Sequence, residues 1–133
     1  MRQFRTLVVE DFDNFRQFLC SALKQGTECE VVGEASDGLQ AVLHAQKLQP
    51  DLILLDIGLP TLNGIEAARR IRKLSPDSKI LFVTQNCSRE IAQGALRTGA
   101  NGYLLKSDAT ELLFAVETVL SGGQFVSSCL KQT

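Results

Sequence analysis

Asp51-Leu52-Ile53-Leu54-Leu55-Asp56-Ile57-Gly58-Leu59-Pro60 holds four consecutive apolar residues between two acids, followed by a loop that ends on proline. An apolar run of this length without alternation suits a strand covered on both faces, as strands of parallel sheets are. Three runs of the same kind lie along the chain: Thr6-Leu7-Val8-Val9, Ile80-Leu81-Phe82-Val83 and Gly102-Tyr103-Leu104-Leu105. A weaker one, Glu30-Val31-Val32-Gly33, is expected nearer a sheet edge.

Segments of helical period fill the intervals. Phe12, Phe15, Leu19 and Leu23 recur at helical spacing, and Ala41, Val42, Ala45 and Leu48 do so before Pro50 stops the segment. Asn63 and Glu66 resemble a capping box that opens a third helix through about Leu74. Ser88 to Arg97 form a fourth, less apolar helix, and the turn chemistry of Thr98 to Gly102 ends it. Asp108 with Glu111 is expected to cap the fifth, whose buried stripe is Leu112, Leu113, Val116, Val119 and Leu120. Five strands alternating with five helices predict an α/β fold, a doubly wound five-stranded parallel sheet with helices on both faces. The domain is expected over residues 1–123, with 124–133 a tail or the start of a linker.

Composition agrees with one folded domain. At 133 residues the chain is long enough to bury roughly two-thirds of its unfolded surface. With 44% hydrophobic and 22% charged residues it is neither disordered nor fibrous. A net charge of -1 supplies no field to concentrate DNA or an anionic membrane. An acidic pair breaks the first apolar run before it reaches signal-peptide or membrane-span length, so a cytoplasmic protein is expected. Cys20, Cys29, Cys87 and Cys129 show no C-x-x-C spacing and are read as reduced, mostly buried thiols.

In a doubly wound sheet, ligands gather outside the carboxyl ends of the strands. Glu10 and Asp11 end the first strand, Asp56 the third, Thr84 the fourth and Lys106 the fifth. Each alone could be a cap, a turn residue or a solvated charge. Their joint arrival at one edge points instead to a reactive site.

These residues carry a resemblance that spans nearly the whole chain. Val8-Val9-Glu10-Asp11, the stretch from Asp51 to Pro60 leading into Asn63-Gly64, Val83-Thr84 and Gly102-Tyr103-Leu104-Leu105-Lys106 together resemble the response-regulator receiver family of bacterial two-component systems. The Asp56 to Pro60 wording and Leu105-Lys106-Ser107 look most like the subfamily with a LuxR/NarL-type helix-turn-helix output domain. The resemblance implies the flavodoxin-like strand order 2-1-3-4-5. It also implies that Asp56 accepts a phosphoryl group from a histidine kinase, a nucleophilic role suited to a carboxylate. Mg2+ would be held by Asp11, Asp56 and the backbone carbonyl of Gly58, with Glu10 acting through water. Lys106 and Thr84 would meet the phosphoryl oxygens, and Tyr103 would turn inward as Thr84 moves. The implied chain is a phosphoacceptor rather than an enzyme, with self-phosphorylation and self-dephosphorylation as its only chemistry. It has room for a homodimer and touches DNA only through a domain outside it.

Some positions depart from the pattern. Gln85 is long where the family has a small residue, and is placed to crowd or hydrogen-bond the phosphoryl site. Ser107 follows the lysine where proline is common, and Gly58 and Asn86 lie where relatives tune hydrolysis of the acyl phosphate. The alternative reading is an interaction or dimerisation module that works without phosphorylation. A phosphatase with an aspartyl nucleophile would need a second acid where Gly58 stands. Arg69, Arg70, Arg72 and Lys73 read as a solvated helix face, His44 as a surface or boundary residue, and Cys87 as structural or incidental.

Overall fold

The computed structural model describes residues 3–131. Its strands are β1 (Phe4–Val9), β2 (Cys29–Ala35), β3 (Leu52–Leu55), β4 (Lys79–Thr84), β5 (Gly102–Leu105) and β6 (Phe125–Val126). The helices are α1 (Asp13–Gly26), α2 (Gly38–Leu48), α3 (Gly64–Leu74), α4 (Arg89–Leu96), α5 (Leu112–Leu120) and a single turn, α6 (Ser128–Lys131). All strand pairs are parallel, in the order β2-β1-β3-β4-β5-β6.

Alternate residues of each strand point to opposite faces, and both faces are apolar here. On one face Leu7, Val9, Ile53, Leu55, Ile80 and Phe82 meet alanines and Ile71 from α2, α3 and α4. On the other, Val8, Leu52, Leu54, Leu81 and Val83 meet Leu19 and Leu23 of α1 and Leu112, Val116 and Val119 of α5. The continuous apolar runs of the sequence therefore follow from burial on both sides. β2 is one of the two edge strands, as its weaker pattern suggested.

The structure corrects four expectations. A sixth strand joins the predicted five: within the segment expected as a tail or the start of a linker, residues 125–131 hold β6 and α6. Left-handed Gly122 (φ +96°) reverses the chain, and Phe125 is buried edge-on against Phe114 at 6.0 Å between ring centroids. Hydrogen bonds from Phe125 N to Asn101 O, Ser127 N to Tyr103 O and Leu105 N to Ser127 Oγ give partners to backbone groups flanking and within β5. Gln132 and Thr133 lie outside the described residues.

The second correction is at α5. Residues Lys106–Glu111 wind as a 3-10 turn with Asp108 outside helical geometry, so α5 opens at Leu112 with no side-chain cap. Third, α1 opens after Phe12, whose ring is 63% exposed instead of joining the core. Fourth, only Cys29 is fully buried; Cys20 is partly so, and Cys87 and Cys129 are exposed. All four thiols are free.

Candidate phosphoacceptor site

Order reverses at β1, which has β2 on one side and β3 on the other, so a crevice opens beyond the carboxyl ends of β1 and β3. Val9 pairs with Leu55 in register. The residues that follow them, Glu10 and Asp56, consequently emerge side by side. Glu10, Asp11 and Asp56 bring one carboxylate oxygen each within 4.8 Å of one another.

Asp56 is held from both directions. Its backbone N–H donates to Val9 O at 3.2 Å, and its Oδ1 accepts from the Ile57 N–H at 2.7 Å. The start of α3 presses on it from behind. A Cβ on Gly64 would lie 1.9 Å from the Asp56 carbonyl oxygen, so only glycine fits at this approach. Gly64 N also donates to Ile57 O at 2.8 Å, while the Asn63 side chain accepts from Glu66 N as the capping pattern predicted. The loop from Asp56 is thus fixed at both ends.

Lys106 reaches back from the end of β5 into the acidic cluster. Its Nζ lies 2.7 Å from Glu10 Oε1 and 3.0 Å from Asp56 Oδ2. Burial works to lower the pKa of this ammonium, but the hydrogen bonds and charges of Glu10 and Asp56 outweigh it and hold the value above that of an ordinary lysine. Glu10 has no exposed surface, and burial pushes its pKa up against the opposing bonds from Lys106 and the Phe12 N–H. One cation therefore serves two buried or nearly buried carboxylates, and a third stands beside them. Asp11 Oδ1 is buried with no hydrogen-bond partner.

Thr84 is buried at the end of β4, where its Oγ1 accepts from Asn86 N at 3.3 Å. Its own hydroxyl hydrogen is left for an acceptor beyond the strand end. Tyr103 is fully buried beside Phe82, and its phenol donates to Asn86 O at 2.7 Å. Burial, reinforced by the negative charge of Asp56, pushes that phenol up to about 12. Thr84 and Tyr103 thus share the Asn86 backbone as a partner. Gly58 is exposed in the loop after Asp56, and a side chain there would meet nothing within 4 Å. Gln85 is exposed as well, lining a shallow groove with Phe12, Asn14, Phe15, Phe18 and Lys106.

Residues 6–117 match the response regulator receiver domain family. This chain belongs to that family. The receiver is 37% identical over 125 residues to the transcriptional regulatory protein DegU of Brevibacillus brevis, covering 93% of this chain and 53% of that protein. It is 34% identical over 125 residues to the nitrate/nitrite response regulator protein NarL of Escherichia coli K12, covering 93% of this chain and 58% of that one. A LuxR-family two-component response regulator from Aurantimonas sp. SI85-9A1 superposes with a TM-score of 0.91 at 32% identity, covering 97% of this chain and 93% of that one. These similarities agree with the LuxR/NarL subfamily. The receiver spans about half the length of the curated relatives it matches.

The acidic cluster of the receiver suits a hard divalent cation. Two of the three convergent carboxylates share a single ammonium, and Asp11 Oδ1 is a buried oxygen with no hydrogen-bond partner. The remaining singled-out residues stay apart from this cluster. His44 is half-buried on α2, with Nδ1 against Gln40 O. Arg69 and Arg70 are exposed and pair with Glu66, while Arg72 binds the carbonyls of Pro76 and Ser78 below the sheet. The Lys106–Ser107 peptide is trans.

Sequence reasoning missed two groups that shape the receiver site. One is the glycine contact behind Asp56. The other is a pair of aromatic rings, Phe12 and Phe15, beside the Lys106 ammonium. Both aromatics recur at the helical spacing of α1, and Phe15 does pack against the core, but spacing alone does not show on which residue a helix begins or which ring lies beside a charge.

Proposed function

We propose that this receiver is a cytoplasmic, phosphorylation-activated switch in which Asp56 accepts a phosphoryl group from a histidine kinase. The observation that carries the reading is the arrangement of Asp56 itself, a carboxylate fixed by Ile57 N–H and Lys106 among further acids that fit Mg2+. An Asp56 carboxylate oxygen attacks the phosphorus of a phosphohistidine, the P–N bond breaks, and the imidazole leaves with the electron pair. The product is an acyl phosphate on Asp56. Asp11 and Asp56, with the Gly58 carbonyl, would hold Mg2+, and Glu10 would reach it through water. When bound, that ion supplies charge neutralisation and orientation for the phosphoryl oxygens.

The protein's own groups do the rest. Lys106 turns from the Asp56 carboxylate to a phosphoryl oxygen and offsets part of the roughly -1.5 to -2 charges that arrive. Thr84 can donate its free hydroxyl hydrogen to another phosphoryl oxygen, which draws on the backbone of Asn86 and so on Tyr103. The expected consequence is a population shift at the face made by α4, β5 and α5, where a second copy could dock. The chain catalyses at most its own phosphorylation and dephosphorylation. Transcriptional output, the role printed in the name of the longer relative DegU, would run through a separate DNA-binding domain.

Intact mass measured before and after incubation with acetyl phosphate and Mg2+ tests this reading. One phosphoryl adduct is expected on the native chain and none on Asp56→Ala. An unmodified native chain, or an adduct that survives in Asp56→Ala, would overturn it in favour of a phosphorylation-independent module. Mg2+ should also raise the melting temperature of the native chain, and Asp11→Asn should abolish that gain, because only ligand bound to the folded state stabilises it.

A further inference from the structure

We infer that Phe15, with Phe12 beside it, is a positioning residue for Lys106: the two rings cover the open side of its ammonium and hold it toward Glu10 and Asp56. The kinetic part of this inference rests on the reading of Asp56 as phosphoacceptor; the structural part does not.

An ammonium has three N–H donors and no acceptor. Glu10 Oε1 at 2.7 Å and Asp56 Oδ2 at 3.0 Å account for two directions around Lys106 Nζ. Among the described residues no third oxygen partners it. Two aromatic rings also flank the ammonium, with the Phe15 centroid at 4.8 Å and the Phe12 centroid at 5.6 Å. Both distances lie within the reach over which a ring's negative face attracts a cation. Lys106 keeps only 14% of its side-chain surface exposed. The rings thus stand where a water shell would otherwise complete the ammonium's coordination.

The cap is built into the same carboxylate that Lys106 binds. Phe12 N–H donates to Glu10 Oε2 at 3.0 Å, so one Glu10 oxygen fixes the Phe12 backbone and the other fixes the ammonium. Phe15 lies in the first turn of α1, buttressed by Phe18 at 5.5 Å between centroids. This gives a physical reason for the exposed Phe12, which packs into no core but stands beside a charge. It also gives the rings a task that aliphatic side chains would not perform. A leucine at position 15 would exclude water equally well but offer the cation no quadrupole, leaving it desolvated on that side without compensation. With rings in place, the ammonium can move from the Asp56 carboxylate to an incoming phosphoryl oxygen while staying on the carboxylate side of the site.

The test uses the full chain and the variants Phe15→Leu, Phe15→Tyr and Phe12→Leu, each checked for folding by its amide spectrum and melting curve. The first readout is the NMR shift of the Lys106 ε-methylene protons. A ring-current displacement from ordinary lysine values is expected in the native chain, retained in Phe15→Tyr and largely lost in Phe15→Leu. The second is the rate of phosphorylation by acetyl phosphate with Mg2+. Phe15→Leu should slow it roughly two- to fivefold and Phe15→Tyr restore it, with a smaller loss for Phe12→Leu. Ordinary methylene shifts in the native chain would overturn the cap. Equal slowing in Leu and Tyr variants, or loss of the ring-current shift with no slowing, would overturn the positioning role. If the native chain takes up no phosphoryl group, the Asp56 reading fails, and the NMR readout still decides whether the rings hold Lys106. Should Phe15→Leu fail to fold, Phe12→Leu at its exposed position carries both readouts.

Discussion

The two ends of the sheet are both lined with polar groups and treat them in opposite ways. Below the amino ends of the strands, Arg5 N–H donates to Asp51 Oδ2 at 2.8 Å, and the Arg5 guanidinium reaches the carbonyls of Leu48 and Gln49 at 2.7 and 3.1 Å. The Ser75 and Ser78 hydroxyls lie 2.6 Å apart, and Ser78 donates onward to Pro50 O. Arg72 gives both terminal nitrogens to carbonyls and leaves only Nε without a partner. These bonds tie loops to one another and, Arg72 Nε apart, are made within the chain. Above the carboxyl ends, two of three clustered acids share one lysine, and Asp11 Oδ1 is buried with no hydrogen-bond partner. Buried polar groups are normally satisfied, and here the orphaned atom is a carboxylate oxygen among clustered acids, the kind of group a hard cation takes. One end ties loops together; the other gathers like charges around one lysine.

If this division is right, substitutions at the two ends should separate rate from stability. The largest effect is expected from Lys106→Met, which removes the cation from between Glu10 and Asp56. Phosphorylation by acetyl phosphate should slow by about 10²-fold or more, as when a preorganised charge partner is lost, while the amide spectrum keeps its folded dispersion. A rate within a few-fold of native would show that the lysine is not needed. Ser78→Ala is the counterpart at the other end. It should cost about 1–3 kcal/mol in urea unfolding through the lost hydroxyl bonds and leave the phosphorylation rate unchanged; a slowed reaction in the folded variant would break the division. The smallest effect concerns pH. Burial raises the folded-state pKa of Glu10 above the ordinary 4.5, so its protonated form is favoured on folding. That contribution is fully present below 4.5 and is lost as pH rises through the raised value. The stability of Glu10→Gln relative to native should therefore drift in the variant's favour over this window, by no more than about 1.4 kcal/mol per pH unit for one proton. A difference that stays flat with pH would show that Glu10 titrates as it does in the unfolded chain.

Much of this contrast was already legible in the residue order. Runs such as Leu52 to Leu55 read as doubly covered strands because burial on both faces leaves no polar alternation, and acids directly after them had to emerge at one edge. The Asn63 cap was readable because its bond is local. What escaped depended on distance or on start points. Phe125 and Val126 form a strand too short to show a period, and they become one only because β5 offers an open side. The Asp108 and Glu111 spacing imitates a capping box, but the chain winds as a 3-10 turn there. Phe12 matches the helical spacing of Phe15 and Leu19, yet α1 begins one residue later. Thr84 lies where its strand predicted, but nothing local could show that its present partner would be Asn86.

The pairing of β6 with β5 has a bearing on self-association. Strand edges with free donors and acceptors invite a second chain to add on. On one side of this sheet Phe125 and Val126 already take that place, closed off by Ser127 Oγ on Leu105 N. The other side is β2, where Glu30 is exposed and Glu34 pairs with Arg16 at 3.0 Å. A second copy adding to the sheet would thus meet a two-residue strand at one margin and a strand bearing charged side chains at the other, both poor templates for extension.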